Sequence, residues 1–168
     1  MAEVTIAVGV IVEKRKAASP WIDHTWGALA VVTGLPEAPR MTLIERVGDA
    51  ERYYLGAASI VLASVDTAQY RDNLMSGAPK LWVVMRELEP EGSLSLVTVT
   101  ADPTEGESNT ETGSNLVDPV PMLPEIAAFI AAFVDEHHVE REFYKRKRDK
   151  PDREALGHRP GGFGGKQR

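Results

Sequence analysis

Short apolar segments rich in β-branched residues follow one another through most of the chain, and only one short helical pattern interrupts them. Consecutive strands without helical crossovers pair with their neighbours, so this order predicts a mainly antiparallel, curved sheet of about six strands. A barrel-like closure of that sheet is one alternative, and the predicted fold class is α+β. The predicted strands cover residues 4–15, 27–34, 41–47, 51–64, 80–88 and 94–101.

Two helices complete the predicted fold. A short helix over residues 67–76 has Asp66 or Thr67 available as its N-cap. A longer amphipathic helix over residues 124–140 begins at a proline, which suits the first helical position. Its residues at helical spacing predict one face that packs on the sheet. They are Ile126, Phe129, Ile130, Phe133, Val134 and His137. The polar stretch 102–115 has nothing apolar to bury and is predicted to be an acidic loop.

Charge divides the chain into two parts. Ten of the 19 Lys/Arg but only four of the 25 Asp/Glu lie in residues 141–168, which therefore carry +6 within a total of -6. A chain of 168 residues suits one domain with a real core, predicted at residues 1–140. Residues 141–168 form a basic C-terminal extension, which is expected to be largely disordered after about residue 150 because it is polar and Gly-rich.

The composition excludes several classes of protein. The chain has no cysteine, which excludes disulfides, thiolate metal sites and cysteine nucleophiles. No apolar run reaches the roughly 18–20 residues of a membrane-spanning helix. The apolar N-terminus is interrupted by Glu3 and has no basic leader, so a cytoplasmic protein is expected.

Two tryptophans flank an aspartate and a histidine in the segment WIDHTW. An imidazole beside a carboxylate can act as a general base, and the indoles of Trp21 and Trp26 could wall a pocket. Neighbours on an extended segment point to opposite faces, however, so Asp23 would not hold His24. A loop attached to the core by its aromatic residues is the favoured interpretation.

A second pair of histidines, His137 and His138, stands at the end of the last predicted helix. Adjacent helical residues diverge by about 100 degrees, so these two do not suit a shared metal ion. A histidine at a helix C-terminus is already explained by the helix dipole. The acidic stretch lacks the residue order of a calcium loop, and the chain shows no nucleophile or phosphate-loop motif. No metal, cofactor or enzymatic activity is therefore predicted.

A run of cations beside two aromatic residues follows this helix. It could dock on an acidic protein surface, extend the helix as a solvated segment, or bind RNA through phosphate contacts and stacking. Docking is favoured, because the acidic remainder of the chain would repel a nucleic acid. The four predicted docking residues are Lys145, Arg146, Lys147 and Arg148.

Four long segments of the chain resemble the uncharacterised bacterial family DUF3305. They are VGVIVEKRKAASPWIDHTW, YRDNLMSGAPKLWVVMRE, VTADPTEGE and FVDEHHVEREFYKRKRDKPD. The family has no assigned activity, so the resemblance carries over no catalytic residue. It implies a context, because family members look like neighbours of molybdenum- or tungsten-dependent formate dehydrogenase genes and of an assembly chaperone. The resemblance thereby favours an accessory role over that of a free-standing catalyst.

The two histidine segments could form a single binding face. Its predicted residues are Trp21, Asp23, His24, Trp26, His137, His138, Arg141, Phe143 and Tyr144. Aromatic residues and arginine are the types that anchor interfaces. The predicted function is therefore a non-enzymatic accessory protein that docks on a formate dehydrogenase subunit or its assembly chaperone.

Two alternatives stay open. The chain could bind a small ligand in a pocket between the sheet and the last helix, where basic side chains could approach an anion such as molybdenum cofactor. That pocket would involve Trp21, Trp26, Trp82, Arg71 and Lys80. The chain could instead bind RNA through residues 143–150.

Overall fold

A computed structural model describes residues 1–34, 37–89 and 92–139. Those residues form seven strands and three α-helices, with one turn of 3-10 helix at Ser64–Asp66. The strands are β1 (Glu3–Lys16), β2 (His24–Val32), β3 (Thr42–Val47), β4 (Ala50–Ala63), β5 (Lys80–Leu88), β6 (Ser93–Thr100) and β7 (Leu116–Pro121). The helices are α1 (Thr67–Leu74), α2 (Pro103–Thr110) and α3 (Pro124–His137).

The strands form two antiparallel sheets. The first has the order β2-β1-β4-β3 and the second the order β6-β5-β7. Strand β4 lies along β6 and β2 lies along β7, where the carboxylate of Asp118 accepts a hydrogen bond from the Ala28 N–H at 2.8 Å. The α+β class and the antiparallel pairing are confirmed. Over the described residues there are two sheets, not closed into a barrel, in place of one curved sheet.

The core lies between the two sheets and α3. Alternate residues of β1 point inward, as the two-residue period of a strand requires, and Val8, Val10 and Val12 are fully buried. Helix α3 closes the core with Ile126, Ile130, Phe133 and Val134. The predicted packing stripe of this helix is wrong at one position, because Phe129 is 46% exposed. At 100° per residue, Phe129 lies at the margin of the stripe.

Gly56 lies at a β-bulge in β4. Val10 pairs with Gly56 whereas Ile11 pairs with Tyr54, so Leu55 is the extra residue of β4. Gly56 has a φ of 143°, which disfavours any residue with a side chain. The bulge follows the part of β4 that pairs with β3, which ends at Tyr54.

The stretch predicted to be an acidic loop contains α2. Asp102 caps this helix by accepting a hydrogen bond from the Thr104 N–H at 2.8 Å, and Pro103 is its first residue. The helix packs closely against Trp82 because Gly106 has no side chain. A Cβ at Gly106 would overlap the indole of Trp82. An apolar pattern does not reveal a helix of this kind, and for that reason the prediction was wrong.

Strand β7 was not predicted either. Two of its six residues are prolines, which cannot donate to a sheet ladder. They are tolerated because β7 is an edge strand, paired with β5 alone in its sheet.

Candidate functional site

The structure places the two predicted histidine segments at opposite ends of β1. His24 pairs with Lys16 at one end of the strand, and Ala63 pairs with Glu3 at the other end, next to the start of α1. A strand of 14 residues extends on the order of 45 Å. The described members of the predicted binding face therefore lie in two separate groups, one at each end of β1.

The remaining predicted site residues lie outside the described residues. They are Arg141, Phe143, Tyr144, Lys145, Arg146, Lys147 and Arg148.

The first cluster, called the hairpin cluster here, consists of Lys14, His24, Trp26, Tyr53 and Glu87. Trp26 is at its centre, with ring centroids 5.8 Å from His24 and 5.7 Å from Tyr53. The Lys14 ammonium lies 5.4 Å from the indole centroid, within the range of a cation–π contact. Cross-strand pairing explains this grouping, because Lys14 is opposite Trp26 and the two side chains share one face of the sheet.

His24 is held by a carboxylate, but not by that of Asp23. Its Nε2 lies 2.9 Å from Oε1 of Glu87 on β5, and the contact joins the two sheets. Strand β2 begins at His24, so the predicted loop over residues 18–26 ends at Asp23, which is exposed. Local sequence gave no signal for Glu87, because 63 residues separate it from His24.

The loop between β1 and β2 presents two apolar side chains to solvent. Trp21 is 92% exposed and Ile22 is 54% exposed. The loop is closed at its base by a hydrogen bond from the Ala17 N–H to the Asp23 carbonyl at 3.3 Å. Trp21 and Ile22, with the cations behind them on β1, are called the hairpin tip below.

The second cluster, called the helix-end cluster, consists of Thr67, Arg71, His137 and His138. Nδ1 of His138 lies 3.0 Å from Oγ1 of Thr67, and its Nε2 lies 3.3 Å from Nη1 of Arg71. A guanidinium can only donate, so Nε2 accepts and Nδ1 carries the proton that it donates to Thr67. The Thr67 hydroxyl in turn donates to the Ser64 carbonyl at 3.3 Å.

The other histidine of this cluster packs against an aromatic ring. The centroid of His137 is 4.5 Å from that of Phe133, and His138 is directed to α1 instead. Within the described part of the chain, no three His, Asp or Glu side chains are grouped as metal ligands. The two adjacent histidines thus have different partners, as their divergence on a helix predicts.

A groove of about 480 Å³ runs between α1 and α3 beside these side chains. It is lined by Leu74, Met75, Ala131, Val134, Arg71, Asp135 and His138. The small-ligand alternative predicted from the sequence placed a pocket near three tryptophans, and the structure corrects this position. Trp21 is exposed, Trp26 belongs to the hairpin cluster and Trp82 lies under α2, so they do not line one cavity.

Two carboxyl groups near the opposite ends of β1 have pKa values that are shifted in opposite directions. Hydrogen bonds from Arg15 at 2.5 Å and from Arg52 at 3.2 Å lower the pKa of Glu13, although its burial opposes them. Burial, reinforced by the charge of Asp102, raises the pKa of Asp66. Asp66 precedes α1 at the N-cap position, but its side chain makes no capping hydrogen bond.

A family model described as protein of unknown function (DUF3305) matches residues 7–147. The chain belongs to the DUF3305 family. No curated protein and no solved structure matches it.

The DUF3305 match includes both clusters and continues past the end of α3. It therefore takes in the first residues of the basic extension, up to Lys147. In the described part of the DUF3305 chain, no helix combines the length and the apolar character needed to span a membrane.

Proposed function

We propose that this DUF3305 protein is a non-enzymatic accessory protein of the cytoplasm that docks on a protein partner. The partner is a subunit of a molybdenum- or tungsten-dependent formate dehydrogenase, or the chaperone that assembles it. The choice of partner rests on the gene context that the family resemblance implies. The choice of docking over catalysis rests on the residues themselves.

The observation that carries the proposal is the extent of the DUF3305 match beyond α3. Residues 140–147 belong to the matched region and contain four cations and two carboxylates. They follow directly on the helix-end cluster, whereas residues 1–140 carry a net charge of -12. A basic segment beside an acidic body favours an acidic partner surface and speeds encounter with it at low salt.

The described histidines support an accessory role because each already has a partner within the chain. His24 contacts Glu87 and Trp26, and His138 joins Thr67 to Arg71. These contacts link one sheet to the other and α1 to α3. They stabilise the fold, and they explain His24 and His138 without a substrate.

The test is an affinity pull-down with three baits: the full-length protein, a version that ends at Glu140, and a full-length version with Lys145, Arg146, Lys147 and Arg148 changed to Gln. The Gln variant is the matched control, since it keeps the length and removes the charge. We expect only the unmodified full-length bait to retain a formate dehydrogenase subunit or chaperone, and roughly 0.5 M salt to release it because salt screens charge. Equal retention by the bait that ends at Glu140 would contradict docking through the basic segment.

The groove between α1 and α3 favours a second candidate, binding of a small anionic ligand beside Arg71. Its apolar wall and convergent polar groups are typical of ligand sites. In that case the version ending at Glu140 would bind the ligand as the full-length protein does. A thermal shift produced by a pterin phosphate, and abolished in Arg71→Ala, would support this candidate over docking.

A further inference from the structure

We propose that the hairpin tip is an apolar anchor that inserts into a pocket of the protein partner. The pocket has an apolar floor for Trp21 and Ile22 and carboxylates at its rim. The inference rests on the proposed function in requiring a protein partner. It adds a second point of attachment, at the end of β1 opposite to the helix-end cluster.

The exposure of Trp21 differs from that of the other two tryptophans. Trp26 packs against Tyr53 and His24, and Trp82 packs under α2 at Gly106. Trp21 is 92% exposed, although an indole side chain offers roughly 200 Å² of contact surface. Among the described residues Trp21 has no packing role, and tryptophan is one of the residue types enriched at binding hot spots.

Hydrogen bonds within the chain constrain the loop that carries Trp21. The Trp21 N–H donates to the Ser19 hydroxyl at 3.3 Å, and the Ile22 N–H donates to the Ser19 carbonyl at 3.5 Å. Pro20 restricts the backbone between them, and the bond from Ala17 to Asp23 closes the loop. Binding therefore does not have to order this segment, which removes one of the main costs of association.

The charges behind the tip indicate the character of the partner. Lys16 and Arg15 are exposed at the end of β1, and the Lys14 ammonium lies over Trp26. Glu13 already pairs with Arg15, and Asp23 is the acidic residue within the loop itself. Lysine side chains around an apolar tip are complementary to a pocket whose rim carries carboxylates.

A protein pocket fits this tip better than an anionic membrane. Stable attachment to a membrane surface takes either a larger apolar face or a dense basic patch. The tip offers two apolar side chains, and Asp23 beside them would be repelled by anionic lipid. The net charge of -12 on residues 1–140 would add to that repulsion.

The test measures binding of the full-length protein to purified formate dehydrogenase catalytic subunit and, separately, to its assembly chaperone. The variants are Trp21→Ala, the conservative Trp21→Phe, and Ile44→Ala as a matched control, since Ile44 is 50% exposed at the edge strand β3. We expect Trp21→Ala to weaken binding about 30-fold, as a hot-spot tryptophan does, and Ile44→Ala to have no effect. Trp21→Phe is expected to weaken binding a few-fold. Because Trp21 is exposed, none of these losses should come with a change in unfolding midpoint.

Salt dependence separates the tip from the basic segment. The loss caused by Trp21→Ala should be the same in low and high salt, because the contact is apolar, whereas truncation after Glu140 should matter less as salt increases. Unchanged binding by Trp21→Ala would overturn the anchor and leave the proposed function standing. Failure of the full-length protein to bind either probe would overturn both. Trp21-dependent binding to vesicles of phosphatidylcholine and phosphatidylglycerol, without binding to either protein, would replace the partner by a membrane.

Discussion

The two ends of β1 hold their side chains together by different forces. In the hairpin cluster, Trp26 contacts the rings of His24 and Tyr53 and the ammonium of Lys14, and its own indole N–H is buried without a hydrogen-bond partner among the described residues. In the helix-end cluster, His138 uses both ring nitrogens, with Thr67 and Arg71 as partners. Trp26 at the hairpin end is therefore held by packing, although His24 beside it contacts Glu87, whereas His138 at the helix end is held by hydrogen bonds that are satisfied.

This difference has consequences for how each end tolerates change. A packing contact weakens gradually as a side chain becomes smaller, whereas a buried polar group that loses its partner keeps the full cost of desolvation. The helix end should therefore be the more sensitive of the two. The hairpin end should accept substitution more readily, which suits a loop that exposes Trp21 for contact with another protein.

Asn73 offers the largest expected effect, and it lies on α1, the helix that also carries Thr67 and Arg71 of the helix-end cluster. Its side-chain amide donates to the carbonyls of Lys80 and Ala101 at 2.7 and 3.0 Å and accepts from the Lys80 N–H at 3.0 Å. Asn73→Ala should lower the free energy of unfolding by about 3 kcal/mol, because it leaves three backbone groups without partners at a site that is 4% exposed. Urea unfolding measures the loss, with the exposed neighbour Asp72→Ala as the control. A loss below about 1 kcal/mol would mean that the helix end does not depend on these bonds.

Trp26 tests the hairpin end. Trp26→Ala should cost about 2 kcal/mol, since the residue is only partly buried and its ring contacts are lost. Trp26→Phe should cost less than about 1 kcal/mol, because the N–H it removes has no partner to lose. Urea unfolding of both variants measures the two losses in unfolding free energy. Equal losses would show that the indole N–H is bonded after all, and would remove the contrast between the two ends.

Much of this fold could be predicted because its elements are encoded by local patterns. The strand of residues 4–15, the hairpins and the bulge at Gly56 follow from β-branched alternation and from glycine. Helix α2 could not be predicted, since it packs through Gly106 against Trp82 and has no apolar stripe. Strand β7 contains two prolines and an aspartate among its six residues, and it forms because β5 is beside it.

Less of the candidate sites could be predicted, for a related reason. Trp21 and Trp26 stand in the same short segment with similar neighbours, yet one is exposed and the other packed. Which of the two faces the core depends on where β2 begins, and that depends on its pairing with β1. The partners Glu87 and Thr67 are 63 and 71 residues from the histidines that they contact, so no spacing rule connects them.

The smallest expected effect on stability comes from the two carboxyl groups with shifted pKa values, Glu13 and Asp66. The sign of that effect differs between the two ends of β1. The pKa of Glu13 is lowered by Arg15 and Arg52, so this group contributes stability above its unfolded pKa and loses it as the pH falls through the folded pKa. The pKa of Asp66 is raised by burial and by Asp102. Its ionisation therefore costs stability above the folded pKa, and the cost is absent below the unfolded pKa.

Glu13→Gln should accordingly destabilise the protein near neutral pH, and Asp66→Asn should stabilise it, each by on the order of 0.5 kcal/mol because both sites remain in contact with solvent. The Glu13→Gln difference should shrink as the pH falls through the folded pKa of Glu13, and the Asp66→Asn difference should vanish below the unfolded pKa of Asp66. Unfolding midpoints across this range measure the effect, and Glu107→Gln, at an exposed position on α2, is the control. Shifts of the same sign at both sites would mean that net charge, rather than the local partners of Glu13 and Asp66, determines how the two ends respond to pH.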